Sequence, residues 1–300
     1  MMLRAGKFTR LLDRPLLMGV VNVTPDSFSD GGQFFDARAA IDHAKRLVDE
    51  GADLLDIGGE SSRPGAAPLP LDEEMRRVMP VLEACVTFGK PVSIDTYKPE
   101  VMREATNAGA SMLNDIWAFQ RGKALEMALG AAEQGIALCA MHMQRDPATM
   151  QDNPRYDDVT AEVRRFLTAR VNAFVSAGVP RDQIVIDPGF GFGKTVAHNM
   201  QLLRELHSFT ALGVPVLTGL SRKSSIGSIT GRQDPQERVY GSVAAALIAA
   251  QNGATILRVH DVASTREALA VLAAVSRAVA PADVAHAGAS PNCASQYHSG

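Results

Sequence analysis

The sequence predicts an α/β protein folded as one (β/α)8 barrel, a TIM barrel. Three observations carry this reading. Short apolar runs recur along the 300 residues, segments of helical period separate them, and most of the runs are unbroken rather than alternating. Unbroken runs mark strands covered on both faces, as in parallel sheets. Strand–helix alternation implies right-handed crossovers, and eight such units over about 260 residues suit a closed barrel. A doubly wound open sheet is the rival architecture.

The expected strands are 16–23, 52–59, 91–96, 111–116, 136–142, 184–189, 215–220 and 254–260. The first helix, within 36–52, places Ala40, Ile41, Ala44, Leu47 and Val48 at helical spacing, with Gly51 as its C-terminal stop. Segments 72–89, 98–110 and 157–178 repeat the arrangement, each ending near a glycine; Pro80 is expected to kink the first of these. Segment 123–135 is weakened by Gly130, and 198–209, 235–254 and 264–280 complete the set. The barrel domain is placed at residues 1–281. The small, polar stretch 282–300 has no period and is expected to be a disordered tail.

Composition excludes several classes. Hydrophobic residues make up 46% and charged residues 21%, ordinary for a globular domain. A net charge of -3 leaves no basic footprint for nucleic acid. Charges interrupt the N-terminal stretch, so no signal peptide is expected, and no run of about 18 apolar residues suggests a membrane span. Cys85, Cys139 and Cys293 are too far apart for a disulfide framework or a zinc site. A reducing cytoplasm fits.

The stretch DPGFGFGKT, 187–195, resembles a P-loop at first sight. A P-loop needs Gly, four residues, then Gly-Lys-Ser/Thr, so that a ring of backbone N–H groups cradles phosphate. Here the first position is Pro188, which has no N–H. The glycines at 189, 191 and 193 also miss the dinucleotide pattern.

In a barrel, catalytic groups sit where strands end. Asn22, Asp95, Asn114, Asp115, His142 and Asp187 close strands. Glu60, Ser62 and Arg63 follow the second strand, Ser221, Arg222 and Lys223 follow the seventh, and Arg258 and His260 lie on the eighth. Singly, an Asp or Asn here is more often a helix cap, and His142 a hydrogen-bonded structural residue. Arg76, Arg77, Arg164 and Arg165 read as surface charges. The barrel would gather the strand-end groups at one mouth. Asp95, Asn114, Asp187 and Lys223 then suit a flat polar heterocycle, since a carboxylate accepts paired N–H bonds. Arg63, Arg258, His260 and Asn22 suit an anion, or a phosphate carrying Mg²⁺ with the Asn22 oxygen as one ligand.

Taken together, NVTPDSFSDGG, DIGGESSRPGA, SIDTYKPEV, LNDI, MHMQ, DPGFGFGKT, GLSRKSSIG and RVHDV closely resemble the dihydropteroate synthase family, in its order and spacing over about residues 15 to 280. That family is a (β/α)8 barrel. It joins 6-hydroxymethyl-7,8-dihydropterin diphosphate to p-aminobenzoate and releases diphosphate, and it is the target class of sulfonamides. The resemblance implies that Asp95, Asn114, Asp187 and Lys223 bind pterin, with Met141 against the ring. Asn22, Ser62, Arg63, Arg258 and His260 would hold diphosphate with Mg²⁺. Ser62, Pro64, Phe192, Lys223 and Ser224 would line the p-aminobenzoate pocket. Thr24, Pro25, Asp26 and Phe28 would close over the site, and a homodimer is expected, with 239–254 as a candidate face. The catalytic set is Asp95, Asp187, Lys223 and Arg63.

Two positions depart from the family's pattern: Ser62 stands in place of the usual Thr, and Trp117 where a small residue is common. A pterin-dependent methyltransferase shares the barrel but needs no diphosphate site. A silent pterin-binding paralogue would have lost Asn22, Arg63 or Asp95, all of which are present.

Overall fold

The structure is a computed structural model that describes residues 1–24, 37–61 and 65–278. Pro25, Asp26, Phe28, Ser62, Arg63, Pro64, Cys293 and the expected tail at 282–300 lie outside the described residues.

Eight parallel strands form the sheet: β3 (Leu16–Asn22), β4 (Leu54–Gly58), β5 (Val92–Asp95), β6 (Met112–Asp115), β7 (Ala137–Met141), β8 (Ile184–Asp187), β9 (Leu217–Thr218) and β10 (Ile256–Val259). Neighbours in sequence are neighbours in space from β3 to β8, and β10 pairs with both β3 and β9. A parallel bridge between Ile186 and Val216 joins β8 to the start of β9, with the Ile186 N–H donating to the Pro215 carbonyl at 3.0 Å. That contact closes the barrel and removes the open-sheet rival.

Helices α1 (Ala37–Asp49), α2 (Leu71–Val86), α3 (Pro99–Asn107), α4 (Ala124–Glu133), α5 (Val159–Ser176), α6 (Val196–Arg204), α7 (Ser224–Thr230), α8 (Val239–Gln251) and α9 (Val262–Ala278) occupy the crossovers and follow the last strand. α2 runs on through Pro80, which sits on its exposed side. The segment expected as one helix at 198–209 divides into α6 and a 3-10 turn over Leu206–Leu212.

An N-terminal antiparallel hairpin, β1 (Met2–Ala5) and β2 (Phe8–Leu11), precedes the barrel and had no counterpart in the sequence reading. Its two-residue turn uses Gly6 at φ 60°. Leu3 and Ala5 bury against Leu16, Met18, Leu54, Met112, Ala137, Cys139, Val185, Leu217 and Ile256.

That cluster fills the lower barrel interior. The period of two along a strand puts alternate residues on opposite faces, so Leu17, Leu55, Ile57, Ile94, Leu113, Leu138, Ile186 and Leu257 face the helices instead. Continuing the inward set towards the strand ends reaches Asn22, Asp56, Asp95, Asn114, Met141, Asp187 and Arg258. One lumen is therefore apolar below and polar above.

Candidate active site

The upper lumen is built around Arg258. Its Nε donates to Asp56 Oδ2 at 2.6 Å and its Nη2 to Asp95 Oδ2 at 3.1 Å. Asn114 Nδ2 donates to the same Asp56 oxygen at 3.4 Å. Asp56 is fully buried, and its other oxygen has no partner among the described residues. Burial and the neighbouring Asp56 charge push the Asp95 carboxyl above the usual carboxylate range, against the pull of Arg258. Burial works to lower the Arg258 guanidinium, but Asp56 and Asp95 outweigh it and hold the group charged.

Asp187 ends β8, across the ring from Asp56 on β4 and separated from Arg258 on β10 only by β9. Its Oδ1 accepts the Gly189 N–H at 2.7 Å, and burial raises its pKa against the attraction of Lys223. Burial draws Lys223 down to about 8, with Asp187 opposing. The Lys223 ammonium donates to the Phe190 carbonyl and lies 4.6 Å from the centre of the half-buried Phe192 ring. Met141 pairs in register with Asp187 and is buried beside it.

Lys223 is aimed by a strained neighbour. Arg222 has φ 59°, unusual for a residue with a side chain. It is clamped by a bidentate ion pair to Asp261 (2.6 and 3.1 Å), by Ser242 Oγ accepting its N–H, and by Arg238 donating to its carbonyl. His260 Nδ1 lies 3.0 Å from Ser221 Oγ. Ser224 is exposed at the first position of α7.

The structure thus brings Asp95, Asn114, Met141, Asp187, Lys223, Phe192 and Arg258 to one mouth. Arg258, expected to face an anion, is engaged by two carboxylates inside the lumen. Asp115 shares the outward face with Leu113; its oxygens accept the Trp117 and Phe119 N–H groups at 2.8 and 2.7 Å and brace a turn in which Ala118 and Phe119 have positive φ. Trp117 is the platform for the Arg121 guanidinium, 3.4 Å from its ring centre. Arg76 is exposed as expected, whereas Arg77 is largely covered and donates to the Gly59 carbonyl. Asp56 was missed, although its position two residues before Gly58, in a strand read as apolar, is the signal that would have found it.

Residues 18–260 match the model of the pterin binding enzyme family. Dihydropteroate synthase of Escherichia coli (strain K12) is 48% identical over 264 residues, covering 88% of this chain and 92% of that protein. The chain belongs to the dihydropteroate synthase family. It is a transferase of folate biosynthesis. The Xanthomonas albilineans dihydropteroate synthase, solved with 4-aminobenzoic acid, is 54% identical with a TM-score of 0.85, covering 92% of this chain and 98% of that one. A second structure of that synthase holds 7,8-dihydropteroate, at 51% identity and a TM-score of 0.83, covering 92% and 99%. The Yersinia pestis synthase, solved with a sulfonamide, is 47% identical with a TM-score of 0.86, covering 92% and 100%.

Proposed function

We propose that the polar upper lumen binds 6-hydroxymethyl-7,8-dihydropterin diphosphate and p-aminobenzoate and joins them with the residues named above in distinct roles. The observation that carries this is the convergence of Asp95, Asn114 and Asp187 over an apolar floor. Carboxylates and an amide set around one lumen suit the donor-rich edge of a pterin, and Met141 offers its thioether to the ring. Lys223 lies between Asp187 and Phe192, where pterin and aryl amine would meet.

The pterin CH₂–O bond breaks, diphosphate leaves with the bonding pair, and the amine nitrogen forms the new C–N bond and then loses a proton to solvent. Asp95 and Asp187 place negative charge where the pterin becomes cationic. An aryl amine is neutral at pH 7, so positioning replaces a general base. Phe192, Ser224, Ser62 and Pro64 are assigned to the p-aminobenzoate pocket. Asn22, Ser62, Arg63, Arg258 and His260 are assigned to diphosphate, and Thr24, Pro25, Asp26 and Phe28 to closure.

Among the described residues no group of three His, Cys, Asp or Glu side chains could hold a metal. Mg²⁺ needs no such cage, because it keeps waters and substrate phosphates, and the half-buried Asn22 amide oxygen at the end of β3 is a hard donor that suits it. Bound there, the ion would neutralise charge on the leaving diphosphate.

We assign the protein to the cytoplasm as a homodimer. Supporting the dimer, α8 is apolar on all sides, with Tyr240 and Ile248 exposed, and α9 exposes Val271 and Val275. The deciding assay is diphosphate release from the pterin diphosphate and Mg²⁺, with and without p-aminobenzoate. Release that requires p-aminobenzoate and yields dihydropteroate is expected. Full turnover and unchanged pterin affinity in Asp95→Asn would overturn the role given to Asp95.

A further inference from the structure

The loop from Gly189 to Gly193 lies flat on the chain after β7. All three glycines have positive φ. A Cβ on Gly189 would stand 1.9 Å from the His142 carbonyl oxygen, and one on Gly193 would stand 2.8 Å from Gln144. A loop bent in this way cannot pair its carbonyls in a ladder; the Gly189 carbonyl accepts the Phe192 N–H at 3.1 Å, and side chains do the rest. Each of five successive carbonyls accepts a side-chain bond. Lys194 donates to those of Gly189 and Phe192, both at 2.9 Å, and Lys223 to that of Phe190. Gln151 donates to that of Gly191 at 2.7 Å, and Tyr156 to that of Gly193 at 2.9 Å.

Lys194 is the hub. Its side chain is buried, and its third strong partner is His142 Nδ1 at 3.0 Å. Burial draws the Lys194 pKa well below its ordinary value, against the pull of Asp187, and three acceptors stand within hydrogen-bond reach of its Nζ. Burial and the Lys194 charge hold the His142 pKa down to about 2, so its ring is neutral, and in the tautomer protonated at Nε2 it accepts from Lys194 at Nδ1. The ring is fixed edge-on against Phe166, 5.0 Å between centroids.

We propose that Lys194 is a positioning residue for the aryl-amine substrate: held by neutral His142, it ties the carbonyls of Gly189 and Phe192 together and so sets the Phe192 ring that walls the p-aminobenzoate pocket. The inference rests on the reading of Phe192 given above. It assigns Lys194 no contact with phosphate. Thr195 has a separate task, as it caps α6 by accepting the His198 N–H at 3.1 Å.

The test is steady-state kinetics with both substrates, with pterin affinity measured by calorimetry. Lys194→Met keeps the aliphatic stem and removes the donors. It is expected to raise KM for p-aminobenzoate about tenfold, with kcat within threefold and pterin Kd within twofold. His142→Phe keeps the ring packing and removes the acceptor, and is expected to raise the same KM about threefold. His142→Asn, which offers a carbonyl oxygen near the Nδ1 position, is expected to restore it. Should Lys194→Met fail to fold, the two His142 variants decide the matter. A fall in kcat with KM unchanged would mean only a structural role and would overturn the inference. Phe192→Ala separates the two levels. If it raises KM and Lys194→Met and His142→Phe do not, the Lys194 inference alone is wrong. If Phe192→Ala leaves KM unchanged, the pocket reading is wrong and the inference falls with it.

Discussion

Replacing Asp56 by Asn isolates the buried charge at the centre of the lumen. Asp56 is fully buried, and Arg258 Nε lies 2.6 Å from its Oδ2. Removing one member of a fully buried pair costs about 3–5 kcal/mol. Arg258 is 20% exposed and keeps Asp95 at 3.1 Å, so part of that cost is screened or retained. The expected loss is about 2–3 kcal/mol, or roughly 4–6 °C in Tm at about 2 °C per kcal/mol for a barrel of this size. A second effect follows from the same geometry. Two carboxylates sharing one guanidinium lie on the order of 5 Å apart. Their repulsion is then about 3 kcal/mol at an effective dielectric of about 20, or roughly two pH units. Without the Asp56 charge, the Asp95 carboxyl should return towards its ordinary range. Urea denaturation at pH 7.5 measures the first effect, and the acid limb of kcat/KM against pH measures the second. The limb should move down by at least about one unit. An unmoved limb together with a stability change under about 0.5 kcal/mol, within the range of an ordinary surface substitution, would refute the reasoning.

Three further outcomes are expected. Turnover needs Asp95 ionised and Lys223 protonated, so kcat/KM should fall as pH drops below about 7 and as it rises above about 8, a narrow bell. A profile flat across both limbs would contradict the assignment. Leu3→Ala, in the hairpin beneath the barrel, should cost about 2–3 kcal/mol in denaturant unfolding through lost burial and an incompletely filled cavity; no loss would show that the hairpin does not seal the floor. Light scattering should report a dimer that Ile248→Asp, on the exposed side of α8, converts to monomer; a monomeric wild type would refute the dimer.

Much of this was legible before any fold was known. Unbroken apolar runs require cover on both faces, and their alternation with helical segments leaves few architectures. The motif residues at the strand ends were found because glycine and polar groups punctuate apolar runs in a recognisable order. Pro188 ruled out the P-loop through its missing N–H. Other features depended on contacts between distant parts of the chain. The hairpin is two strands of four residues whose worth comes from a floor made by seven of the barrel strands. Which of Asn114 and Asp115 faces the lumen is a question of strand phase, and only the register with β5 and β7 settles it.

The sequence by itself determined the alternating strand–helix plan, the polar strand ends and the family. These are local or periodic properties, written in neighbouring residues. Tertiary structure alone decided that Asp56 and Arg258, 202 positions apart, share one ion pair, and that Lys194 serves a buried histidine 52 positions away rather than a phosphate. Charge, burial and hydrogen-bond partners at such sites are set by what closure of the barrel brings together, and no local pattern carries that information.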